Sequence, residues 1–129
     1  CSWIMVHDGA RPCVTQELLQ RGLEEASATG AAIPALPVND TIKRVQEGFV
    51  LETLPREGLR AVQTPQVFRS DLLRRAYQGN LDEVTDDASL VEKLGHRVKV
   101  FPGSAENIKI TSPEDLLFAE AILRGRARS

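Results

Sequence analysis

Four short polar clusters carry the groups in this chain that could do chemistry: His7-Asp8-Gly9-Ala10-Arg11-Pro12, Asn39-Asp40-Thr41-Ile42-Lys43-Arg44, Gln63-Thr64-Pro65-Gln66 and Asn107-Ile108-Lys109-Ile110-Thr111. Between them they offer carboxylate, guanidinium, hydroxyl and ammonium groups. Arginine and lysine hold phosphate esters through charge-assisted hydrogen bonds, and a hard divalent cation takes oxygen ligands. Singly each cluster is weak, because Asp-Gly after a strand is more often a turn, a lone lysine is usually solvated and Thr-Pro is usually a turn. Their joint placement points to a site that handles phosphate.

That placement depends on the elements around the clusters. Residues 3–7 form a short apolar run closed by Asp8-Gly9, which reads as a buried strand with the first cluster at its carboxyl end. Thr15 can cap a helix carrying Leu18, Leu19, Leu23 and Ala26, with Gly30 as its stop. Residues 31–36 are again continuously apolar. Strand, helix, strand in this order is a parallel crossover unit and implies an α/β sheet covered by helices. In such sheets ligands collect beyond the carboxyl ends of the strands, where the clusters fall.

Residues 41–53 break the rhythm. Ile42, Val45, Val50 and Leu51 favour strands and Glu47-Gly48 supplies a turn, so the segment reads as an extended hairpin. An arm with so little core of its own is expected to pack on a second subunit; a mobile surface flap is the alternative. Further on, residues 59–62 predict a short strand, Thr64-Pro65-Gln66 breaks regular structure, and Ser70 caps a helix carrying Leu72, Leu73 and Ala76. Residues 86–94 predict a helix ended by Gly95, residues 98–101 and 107–110 predict strands, and Ser112-Pro113-Glu114-Asp115 opens a final amphipathic helix. The basic tail 124–128 is expected to fray.

Bulk properties narrow the function classes. The chain has 129 residues, 42% of them hydrophobic, which suits one domain with a single core. With 16 basic and 18 acidic residues the net charge is −2, so an extended nucleic-acid footprint is not expected. No run approaches the roughly 20 apolar residues that span a bilayer, and the start lacks the order of a signal peptide, which predicts a cytoplasmic protein without membrane partners. Cys1 and Cys13 do not make a disulfide framework and are expected to stay reduced. His7 and His96 stand far apart and the cysteines lack zinc-ligand spacing, so no structural metal site is expected.

In order along the chain, the run 7–12, Pro37-Val38-Asn39-Asp40-Thr41-Ile42-Lys43-Arg44, Gln63-Thr64-Pro65-Gln66-Val67-Phe68, Thr85-Asp86-Asp87-Ala88-Ser89 and the run 107–111 resemble the methylerythritol phosphate cytidylyltransferase family of the non-mevalonate isoprenoid pathway. The resemblance extends over nearly the whole chain. It implies an α/β fold, a Rossmann-like mixed sheet of nucleotidyltransferase type with a protruding β-hairpin arm. Residues 1–129 would be one partial nucleotidyltransferase domain, and residues 41–56 within it an arm for homodimerisation.

The activity implied is transfer of a cytidylyl group from CTP to 2-C-methyl-D-erythritol 4-phosphate, with Mg2+ as cofactor. By the resemblance Asp8 would place the magnesium and act in catalysis, and Lys109 would act in catalysis and neutralise nucleotide phosphate. Gly9, where the family commonly has alanine, would leave room for the nucleotide. Arg11, Thr41, Thr64 and Thr85 would bind the polyol phosphate, and Arg56, on a looser match, would reach the substrate phosphate of the neighbouring subunit. A turn cap for Asp8 and a solvated surface residue for Arg56 are the plain readings beside these.

One departure from the family is an absence. Its glycine-rich amino-terminal loop, with an arginine and a lysine for the triphosphate, has no counterpart here, and no Gly-x-Gly occurs. Together with a start already inside a strand, this implies a missing amino-terminal part, weak CTP binding by this chain alone, and an exposed sheet edge at residues 3–6. Two other readings stay open. One is a ribitol 5-phosphate cytidylyltransferase, from which Cys13 and Asn39-Asp40-Thr41 lean away, and the other is a non-catalytic fragment for polyol-phosphate binding and dimerisation.

Overall fold

The computed structural model describes residues 2–79, 81–82 and 84–127. Cys1, and Arg128 at the end of the basic tail, lie outside them. In chain order the elements are strand β1 (Trp3–Val6), helix α1 (Gln16–Thr29), strand β2 (Ala31–Pro37), strands β3 (Ile42–Gln46) and β4 (Phe49–Leu54), a 3-10 turn (Arg56–Gly58), strand β5 (Arg60–Val62), strand β6 (Gln66–Arg69), helices α2 (Ser70–Tyr77) and α3 (Asp87–Lys93), strand β7 (Lys99–Pro102) and helix α4 (Pro113–Ala127).

Helix α1 starts and stops as its sequence dictates. The Thr15 hydroxyl accepts from the Leu18 amide at 3.2 Å, and Gly30 closes the helix at φ 92° with its amide on Ala26 O. The chain then reverses directly into β2. Strands β1 and β2 run parallel, as a crossover requires, but they are not neighbours. β6 lies between them, antiparallel to both, pairing Ile4 with Phe68 on one side and Ala31 with Phe68 on the other.

β6 is the strand that sequence reading missed. Its four residues stand between Pro65 and Ser70 and carry no period of their own; pairing on both edges makes them a strand. The same edge of β2 continues from β6 to β5, and its other edge takes β7 in parallel. The result is a five-stranded mixed sheet in which β1, among the described residues, has one neighbour.

Helices cover both faces. On one face Phe68, Ala31 and Ile33 meet Leu72, Leu73 and Ala76 of α2 and Ala88, Leu90 and Val91 of α3. On the other, Leu18 and Ala26 of α1 meet Ala32, Val67 and Phe101. Gly22 lets α1 lie this close, since a Cβ there would stand 3.0 Å from Val67 Cγ2 and 3.2 Å from Phe101 Cζ.

Four expectations need correction. Ser70 does not cap α2: the cap position is Arg69, without a side-chain bond, and the Ser70 hydroxyl meets that of Ser2 at 2.6 Å instead. Residues 107–110 are not a strand: among the described residues no ladder pairs them, and Ile110 N donates to Ala10 O at 2.8 Å. Helix α4 continues through Ala127, so residues 124–127 do not fray. Its apolar residues are not turned into a core either, since Leu116, Leu117, Phe118 and Leu123 are exposed and Ala119 alone in the helix is buried.

The hairpin forms as read. Glu47 and Gly48 both take positive φ, 52° and 84°, and join β3 to β4 as a separate two-stranded sheet. Two positive-φ residues are what a tight hairpin turn needs to match strand twist. Arg44 reaches Glu52 at 2.7 Å and Lys43 donates to the Thr53 hydroxyl at 2.8 Å across it. Phe49, Val50 and Leu51 stay open to solvent, Phe49 at 77%. No described helix is long and apolar enough to cross a membrane.

Candidate functional site

The site is built where β1 ends. After Val6 the chain folds into a compact loop: the Asp8 carboxylate accepts from the Ala10 amide at 2.9 Å, and the Arg11 amide donates to Asp8 O at 3.0 Å. The turn expected of Asp8-Gly9 is therefore real, and the carboxylate serves it with one oxygen. Its other oxygen faces Lys109 Nζ at 3.1 Å. The Ala10 amide, then the Lys109 ammonium, hold the Asp8 carboxyl below the ordinary carboxylate range, so it is an anion at neutral pH.

Loop 63–65 locks onto this turn. The Thr64 hydroxyl accepts from the Asp8 amide at 3.0 Å and meets His7 Nδ1 at 3.0 Å. His7 Nε2 faces a carbonyl, Arg11 O at 3.0 Å, and must donate there. In the neutral imidazole Nδ1 is then the acceptor, and the Thr64 hydroxyl gives it its proton. Thr64 thus holds the loop together with both its donor and an acceptor.

The Arg11 guanidinium donates through Nη1 to Asn107 O at 2.7 Å. Its partly buried setting lowers its pKa, with Asp8 acting against that, yet a guanidinium remains a cation. The third wall comes from the start of α3. Asp86 caps that helix by accepting from Ser89 N at 2.9 Å and Ser89 Oγ at 2.6 Å, and accepts from Gln66 Nε2 at 2.9 Å. Burial pushes the Asp86 carboxyl up, but these hydrogen bonds outweigh it and leave it below the ordinary value.

These parts enclose a cavity of about 250 Å³ lined by Asp8, Arg11, Thr64, Thr85, Asp86 and Lys109, with Val62, Gln63 and Gln66 behind them. Five residues singled out from sequence, Asp8, Arg11, Thr64, Thr85 and Lys109, are thus brought together from segments up to a hundred residues apart. Thr41 and Arg56 do not line it. Thr41 is exposed just before β3, and Arg56, in the 3-10 turn, donates to Asn39 O. Gly9 meets nothing: a Cβ there would find no atom within 4 Å, so the alanine common at this place would fit.

Could this donor set hold magnesium? Among the described residues no three His, Cys, Asp or Glu side chains converge as a cage. Magnesium keeps several waters and commonly takes one or two carboxylates plus substrate phosphates, and Asp8 and Asp86 in one cavity fit that mode. Both carboxylates already accept protein hydrogen bonds, and Asp8 would have to share the oxygen that faces Lys109.

Sequence reading missed Gln63, Gln66, Asp86 and Asn107 as parts of the site. All four stood inside quoted motifs without a role of their own, and no local signal says that a glutamine or asparagine will be buried. The described cysteine, Cys13, is a free buried thiol that donates to Ala119 O at 3.8 Å under α4.

An open mixed sheet with helices on both faces, a projecting β-arm and a carboxylate, lysine and arginine gathered beyond its strand ends is the α/β fold of nucleotidyltransferase type expected from the motifs. Solved structures agree. The chain superimposes on a 2-C-methyl-D-erythritol 4-phosphate cytidylyltransferase from Thermus thermophilus with TM-score 0.84 at 45% identity, covering 95% of this chain and 62% of that one. For the enzyme from Francisella tularensis the TM-score is 0.86 at 37% identity, over 93% and 58%.

The chain belongs to the 2-C-methyl-D-erythritol 4-phosphate cytidylyltransferase family, whose sequence model matches residues 1–125. It is 54% identical over 125 residues to the family's enzyme from Dehalococcoides mccartyi, covering 96% of this chain and 55% of that relative. Identity is again 54%, over 128 residues, with the enzyme from Halalkalibacterium halodurans, covering 97% and 56%. The chain therefore spans about half the length of the curated relatives it matches.

Proposed function

We propose that this chain supplies the polyol-phosphate and magnesium side of a cytoplasmic cytidylyltransferase that, at full length, transfers a cytidylyl group from CTP to 2-C-methyl-D-erythritol 4-phosphate. A phosphate oxygen of the polyol phosphate attacks the α-phosphorus of CTP, a new P–O bond forms, and the bond to the β-phosphate breaks as pyrophosphate leaves with the electron pair. The products are 4-diphosphocytidyl-2-C-methyl-D-erythritol and pyrophosphate. No covalent enzyme intermediate is required, so the protein's task is to align two polyanions and stabilise the charge that develops between them.

What carries this reading is the Asp8, Lys109 and Arg11 constellation around one cavity, in a chain whose family is cytidylyltransferases. In it Lys109 stabilises charge on the α-phosphoryl oxygens and Arg11 holds the polyol phosphate. Asp8 would hold magnesium, which when bound would supply charge stabilisation to the substrate phosphates. The Thr85 hydroxyl, at the mouth of the cavity, orients the polyol, while Thr64 acts through the loop it ties. Gly9 leaves the nucleotide free approach.

Pyrophosphate release measured on the full-length protein with CTP and magnesium tests the reading. Turnover is expected with methylerythritol phosphate and not with ribitol 5-phosphate. Turnover of ribitol phosphate alone, or of neither, would overturn it.

Thr41 and Arg56 enter through the arm. We propose a homodimer in which the exposed Phe49, Val50 and Leu51 are covered and Arg56 reaches the substrate phosphate in the partner's site, with Thr41 beside it. Exposed apolar side chains on a two-stranded arm are a surface that association would remove from water. Sedimentation should give a dimer for the full-length protein, and Phe49→Asp should shift it toward monomer and lower turnover. A fully active monomer would exclude the arm's role.

A further inference from the structure

We infer that Asn107 is a positioning residue of this site: its side-chain amide ties loop 107–110 to loop 63–64, while its main-chain carbonyl takes Arg11 of loop 8–11. The inference rests on the site described above and adds a residue to which no role in it has been assigned. Asn107 is fully buried, at 0% exposure, although its side chain is an amide. Asparagine is seldom buried without a purpose, because every polar atom taken from water needs a partner.

The partners lie in the site's own loops. Asn107 Nδ2 donates to Thr64 O at 2.7 Å and toward Gln63 Oε1 at 3.4 Å, while Asn107 O accepts Arg11 Nη1 at 2.7 Å. Two residues on, Lys109 reaches Asp8, and Ile110 N donates to Ala10 O at 2.8 Å. Loops 8–11, 63–64 and 107–110 therefore meet at one residue.

The amide's orientation is not free. Gln63 is set by a paired contact with Ser104, its Nε2 donating to Ser104 O at 2.9 Å and its Oε1 accepting from Ser104 N at 3.1 Å. Gly103 makes room for it, since a Cβ there would fall 2.5 Å from Gln63 Oε1. Both groups facing Asn107 Nδ2 are thus acceptors. Turning the amide over would set Oδ1 against two oxygens, which fixes Nδ2 where it stands. In that orientation Oδ1 is left without a partner, a cost that is tolerated for the two donor contacts.

Leucine has nearly the same shape and no donor, so Asn107→Leu in the full-length protein separates the donor role from volume. Native-state hydrogen exchange reads placement directly and does not depend on which substrate is used. The amides of Asp8, Ala10 and Ile110 should exchange about tenfold or more faster, while those of α1 and β6 keep their wild-type rates. Steady-state kinetics, normalised to folded protein, should show kcat lower by about tenfold to a hundredfold and a raised KM for the polyol phosphate, as misplacement by an ångström does. Asn107→Ser, a smaller side chain, serves as the second variant and should show the same local pattern.

Uniformly faster exchange across the sheet, or unchanged exchange in the three loops, would overturn the inference. So would loss of a cooperative unfolding transition in both variants, which would make Asn107 a core residue only. If the wild type turns over neither substrate, the proposed function fails, and the exchange pattern still decides the role of Asn107.

Discussion

Lys109→Ala in the full-length protein should lower turnover of CTP with methylerythritol phosphate by about a hundredfold or more, the scale seen when one preorganised donor or charge is removed from a transition state. The fold should hardly notice. The Lys109 side chain is half exposed and its contact with Asp8, 3.1 Å long, is a surface ion pair of the kind that contributes little in water. Activity and stability are thus predicted to separate, and thermal unfolding beside the assay checks it.

Protonation does not confuse the result. The folded-state pKa of Asp8 is lowered, so what its carboxylate contributes is present above the unfolded value and is lost only as pH falls through the lowered one. The Ala10 amide, the largest cause of the lowering, survives the substitution. Asp8 therefore stays ionised at neutral pH in the variant too, and a loss of turnover there reports the missing ammonium group. Near-normal turnover would remove Lys109 from the chemistry.

Phe68→Ala should cost about 3–5 kcal/mol of stability, the usual range for emptying a buried phenylalanine site. Phe68 is fully buried at the centre of β6, opposite Ile4 of β1 and Ala31 of β2, and packs into the cluster formed with α2 and α3. Neighbours held by two ladders cannot move in to close the hole. Against a total of about 5–15 kcal/mol such a loss brings the protein near its unfolding threshold. Chemical denaturation of the full-length protein should show a lower midpoint with an unchanged slope. A loss under about 1 kcal/mol would mean that β6 is not the centre of this core.

The two predictions bear on one piece of architecture. β6 begins at Gln66, which donates to Asp86 and accepts from the Ala88 amide, so the strand that anchors the core also ties α3 to the cavity. Its own sequence gave no hint of this. Helix α1 and the arm were legible because their signals are local: Thr15 and Gly30 close a helix within their own turns, and Glu47-Gly48 takes positive φ wherever two strands must reverse. β6 is a strand because β1 and β2 flank it, a relation no window of neighbouring residues contains. Residues 107–110 show the converse, with apolar, strand-favouring isoleucines that stay out of any ladder among the described residues.

For the site, the sequence by itself determined which groups are present and in what order, because phosphate chemistry needs lysine, arginine and carboxylate, and only a few polar runs hold them together. It also carried the family. Only the tertiary structure decided what each group is free to do. It committed the Thr64 hydroxyl to His7 and the Asp8 amide, set Lys109 on Asp8, left Thr41 and Arg56 outside the cavity, and buried Asn107 where three loops meet. The reason is physical. A side chain's chemistry is fixed by its covalent structure, whereas its hydrogen-bond partners and its exposure to water are fixed by segments that lie far away along the chain.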